Sequence, residues 1–157
     1  MSYGKYTRQF VMGPREVDIF EESFLIRPST NVTITVENSL AATMVSDGVR
    51  SIVLLGFLLD PRRPDLSDEE ILSNILERTN NFDQILSFTT SLGGKWILIY
   101  FDESGQYLFN DIIGARQVYY TKHNGEVWCA SQPHVLAQVC KKEIDTSDEK
   151  LAFYQSS

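Results

Sequence analysis

A chain of 157 residues, 43% hydrophobic and 22% charged, supplies enough apolar side chains for one domain with a sizeable core. Its net charge of −7 excludes a non-specific binder of nucleic-acid phosphates, which needs a basic stripe to release counterions, and Lys141-Lys142 is too short to be one. No stretch approaches the ~20 apolar residues of a membrane span, and the opening MSYGKYTRQF lacks the apolar segment of a signal peptide, so a cytoplasmic protein without nucleic-acid or membrane partners is expected.

In chain order, Thr7 to Met12, Val17 to Ile26 and Asn31 to Glu37 are rich in Val, Ile, Phe and Thr and read as strands, punctuated by Gly13-Pro14 and Pro28-Ser29. The run NVTITVE alternates, with Val32, Ile34 and Val36 on one face and Thr33 and Thr35 on the other. Asn38 to Arg50 is undecided apart from a turn at Asp47-Gly48. Ser51 to Leu59 is an apolar core strand in which Gly56 implies a bulge or a close backbone approach. The DPRRPD segment ends it and reads as a solvated loop.

Ser67 and Glu70 then form a capping box, Leu66 and Ile71 a hydrophobic staple, and Asp68, Glu69 and Glu70 complement the helix dipole. Ile71, Leu72, Ile75 and Leu76 make the buried stripe. Asn81 caps a second helix, carrying Phe82, Ile85, Leu86 and Thr89 at helical spacing, which is expected to stop at the Gly93-Gly94 pair. Lys95 to Asp102 follows as a strand apolar on both faces and therefore covered on both. Gln106 to Asp111 returns, and Asn124-Gly125 joins Gln117–Lys122 to Glu126–Ala130 as a tight hairpin. Residues 93 to 130 thus read as one antiparallel meander with a single irregular corner at Asp111 to Arg116. A short helix opens at Ser131 or Gln132, with Pro133 in its first turn. Two-sided strands with helices before and after them predict an α+β fold: a four-layer α-β-β-α sandwich of antiparallel sheets.

Cys129 and Cys140 read as buried thiols, and with only His123 and His134 no metal site or histidine-based triad is supplied. Trp96, Trp128, Tyr119 and Tyr120 read as packing residues. Asp111 either holds the amino group of a ligand, or caps its own turn or pairs with Arg116; the structural roles are preferred.

The order of Gly94, Trp96, Asp102, NDIIGARQVYY and CASQPHVLA resembles the N-terminal glutaminase domain of asparagine synthetase-type amidotransferases, members of the N-terminal nucleophile hydrolase superfamily. Upstream, VLLGFLLD is similar to a drifted Val-Asn-Gly-Glu-Ile-Tyr-Asn, and KEIDTSDEKLAFYQSS to the segment leading into the synthetase domain. The likeness spans residues 51 to 157. It implies that 1–50 are divergent strands of the same domain, 51–140 a glutaminase-like core, and 141–157 the start of a linker toward a C-terminal synthetase domain.

In that family a Cys exposed as the first residue attacks the glutamine carboxamide, with the free α-amine as base; an Asn side chain and a Gly N–H hold the oxyanion. Here position 2 is Ser, the oxyanion Asn corresponds to Leu55, and only Gly56 remains as a backbone donor. The resemblance implies that Asp111 matches the Asp holding the substrate ammonium and Gly114 the glycine of its loop. The expected function is a non-catalytic, structural or regulatory glutaminase-like module. Its partner would be a synthetase domain or another protein, with ATP and magnesium used only in that synthetase domain and no cofactor here. The alternatives are an active amidotransferase using Ser2, and an amino-acid-binding module taking glutamine or another amino acid beside Asp111.

Overall fold

The strand-rich first third and the two-sided strands around residue 100 build two antiparallel sheets, described here over residues 7–143 by a computed structural model. In chain order the elements are β1 (Phe10–Gly13), β2 (Ser23–Ser29), β3 (Val32–Glu37), β4 (Ala42–Ser46), β5 (Ser51–Leu59), α1 (Asp68–Arg78), α2 (Phe82–Thr89), β6 (Gly93–Asp102), β7 (Gly105–Asn110), β8 (Tyr119–His123), β9 (Glu126–Ala130) and α3 (Pro133–Val139). One sheet runs β2-β3-β1-β9-β8 and the other β4-β5-β6-β7.

Three apolar seams follow from strand alternation. Phe10, Ile34 and Val36 of the first sheet meet Val53, Leu55, Ile97 and Ile99 of the second. On the outer face of the second sheet, Ile52, Leu54, Trp96, Leu98 and Tyr100 pack with Ile71, Leu72, Ile75 and Ile85 of the helices. On the first sheet's outer face, Val11, Trp128 and Ala130 pack with Val135 and Leu136 of α3. The result is an α+β body of two antiparallel sheets and three helices. Strands β5 and β6 are covered on both faces because their odd and even residues enter different seams.

The local signals at α1 hold. The Ser67 side chain accepts the Glu70 N–H while Glu70 accepts the Ser67 N–H, which closes the capping box. Asn81 accepts the Gln84 N–H and starts α2. Asn124 and Gly125 have φ of +51° and +80°, as a tight two-residue hairpin requires.

Other expectations are corrected. Residues 93–130 are not one meander: β6–β7 belong to one sheet and β8–β9 to the other. Hairpin chemistry is local and sets neighbours, but β9 also pairs with β1 through Val11–Ala130 and Met12–Cys129, and this distant pairing draws the second hairpin across. The Gly93-Gly94 pair does not cap α2, which ends at Thr89 with Thr90 as cap; it opens β6. Only the last part of Val17 to Ile26 is strand, because Val17, Ile19 and Phe20 instead cover the seam beneath α3. Tyr120 is exposed and does not pack, since it lies on the open face of an edge strand. Of the expected linker at 141–157, residues 144–157 lie outside the described residues. Among the described residues no helix is long and apolar enough to cross a membrane.

Candidate functional site

The irregular corner after β7 is where the chain leaves one sheet for the other, and a cleft opens beside it between the two sheets. Phe10 and Ile97 carry the inter-sheet seam to its floor, and the corner residues Ala115 and Arg116 form one wall. Its volume is about 260 Å³.

The corner is built by Asp111. Its N–H donates to the Trp96 carbonyl at 3.1 Å, and its own carbonyl accepts the Gly114 N–H at 2.8 Å. One carboxylate oxygen accepts the Ala115 N–H at 3.0 Å and the other the Trp96 N–H at 3.4 Å. With 6% of its surface exposed, Asp111 is a buried cap that ties the corner to β6, the structural role preferred above. Gly114 supplies the turn's φ of +61° and lies exposed.

Gly56 faces Trp96 across β5 and β6, so Gly56 and Asp111 meet on the same residue from two sides. Its φ is +112°, and a Cβ there would stand 2.1 Å from the Lys95 carbonyl oxygen, which is the close backbone approach anticipated; the register with β6 continues unbroken. The Gly56 N–H donates to the Ala41 carbonyl at 2.8 Å. Leu55, fully buried, points into the inter-sheet seam. Ser2 lies outside the described residues.

Three cations line the cleft: Arg8, Lys95 and Arg116. Arg8, at φ +61°, is held by its N–H, which donates to Glu37 Oε2 at 2.6 Å and Ser39 Oγ at 2.8 Å. Lys95 shares the strand side of Ile97 and so faces the cleft, not the helices. Arg116 Nε–H donates to the Lys95 carbonyl at 3.1 Å. Burial lowers the Arg116 pKa, the nearby Arg8 charge lowers it further, and Asp111 opposes both. Among the described residues that line the cleft none is acidic, and none of the three cations forms an ion pair with a described residue. Sequence reasoning missed this cluster. Its one signal was Lys95, a cation directly before the run Trp96 to Phe101 that is apolar on both faces.

Cys129 and Cys140 are free and buried, and burial raises the Cys129 thiol pKa, which favours the protonated thiol. Among the described residues no cluster of His, Cys, Asp and Glu is arranged to hold a metal ion. Comparison with protein-family models and with curated proteins gives no match.

Proposed function

We propose that this chain is a glutaminase-like module of the N-terminal nucleophile hydrolase type, built as a four-layer α-β-β-α sandwich, which has lost amide cleavage. It would serve as a structural or regulatory partner of an ATP-using synthetase domain. What supports the architecture is the pair of antiparallel sheets with α1 and α2 packed on one and α3 on the other. What supports the loss of chemistry is the fate of the oxyanion position. Cleaving a carboxamide needs two donors aimed at the developing oxyanion, and losing one slows the reaction by about 10²–10³. Leu55 offers none and is packed in the core, while the Gly56 N–H is committed to the Ala41 carbonyl. Asp111 is buried, caps the corner through two backbone amides and does not line the cleft, which speaks against its clamping a substrate ammonium.

The test is ammonia release from glutamine by the purified full chain, with and without a Ser2→Ala substitution. No release above the uncatalysed background is expected from either protein. Release by the unmodified chain that vanishes in Ser2→Ala would replace this reading with that of an active amidotransferase.

A further inference from the structure

We propose that the cleft bounded by Arg8, Lys95 and Arg116 binds the dianionic head of a small phosphate monoester. Three separate parts of the chain, the approach to β1, the start of β6 and the corner before β8, bring one cation each to the same cleft. In a chain of net charge −7, a concave site lined by three cations without a described acid among them is the local exception. Like charges gathered in one concave site repel each other, and an anion seated among them removes that cost.

The lining also selects the kind of anion. The Lys95 carbonyl takes the Arg116 Nε–H and, among the described residues, no acceptor takes the two terminal guanidinium nitrogens, an arrangement suited to paired oxygens. Gln117 Oε1 accepts the Tyr119 hydroxyl at 2.7 Å, and its NH₂ group is a neutral donor available to the cleft. An amino acid would bring an ammonium as well as a carboxylate. Asp111 is buried and does not line the cleft, and none of the described lining residues is acidic, so the ammonium of a zwitterion finds no carboxylate on the cleft walls. A phosphate monoester carries about −1.5 to −2 charges near neutral pH and offers three acceptor oxygens, which suits three cations and neutral donors. At about 260 Å³ the cleft holds a head group and not a large ligand. This inference stands on the cleft alone and does not require the glutaminase reading.

Calorimetry and thermal melting of the full chain with phenyl phosphate, inorganic phosphate, succinate and glutamine test it. Phenyl phosphate should bind saturably, raise the melting temperature and weaken as salt is added; succinate should bind less tightly, and glutamine should give no heat. Lys95→Gln and Arg8→Gln, both at exposed positions, should each weaken binding by about threefold, and Arg116→Gln by about tenfold. Arg62→Gln, in the solvated loop after β5, should leave it unchanged. The proposal is overturned by the absence of saturable binding, by succinate binding as tightly as phenyl phosphate, or by an equal loss in Arg62→Gln. Binding of inorganic phosphate without phenyl phosphate would overturn the monoester assignment. Ammonia assays do not bear on any of these outcomes.

Discussion

The Lys95 carbonyl oxygen lies 2.1 Å from where a β-carbon on Gly56 would stand. That contact lets β5 and β6 pass close together at the mouth of the cleft, and Arg116 closes over the same carbonyl. Gly56→Ala would meet the Lys95 backbone first and the Arg116 Nε at 2.7 Å, at a φ of +112° that L residues rarely adopt. The expected cost is about 2–4 kcal/mol of unfolding free energy, strain and overpacking together. Urea denaturation of the two proteins measures it, and a loss below about 0.5 kcal/mol would contradict the close approach.

Asp111 should behave as a cap. In Asp111→Ala the Trp96 and Ala115 amides lose their acceptors in a buried setting, a loss of about 1–3 kcal/mol in stability. Asp111→Asn keeps one acceptor oxygen and should lose less. The ordering of the melting temperatures, unmodified above Asn above Ala, is the readout. Hydrogen exchange should locate the Ala variant's weakening at the corner and the start of β6.

Part of the acid sensitivity should be traceable to Asp47 at the turn between β4 and β5. The Arg50 and Val49 backbone N–H groups, and then the Arg50 guanidinium, hold its carboxylate below the ordinary value of 3.8. A carboxyl depressed in the folded state stabilises the fold above its unfolded pKa and loses that contribution as pH falls through the folded one. Asp47→Ala should therefore cost about 1 kcal/mol at pH 7, and the gap between the two proteins should close progressively below about pH 4. Denaturation series at pH 7, 5, 4 and 3 check this. A gap that widened toward acid would reverse the sign of the linkage.

Local instructions were readable from the chain itself. The Ser67–Glu70 box, the Asn81 cap, the Asn124-Gly125 turn and the two-sided run from Trp96 to Phe101 each act within a few residues, so their chemistry is written in adjacent positions. The lack of apolar–polar alternation along β6 likewise foretold two covered faces, because which side each residue takes needs no partner to be seen. What adjacency cannot encode is which strand meets which across long separations. Only tertiary pairing of β1 with β9 sent the second hairpin to the other sheet and turned an irregular corner into a crossing. The same pairing of distant segments gathered Arg8, Lys95 and Arg116 around one cleft. Arg8 and Arg116 look like ordinary surface charges in their own stretches of sequence, since mutual repulsion exists only once the three are close in space.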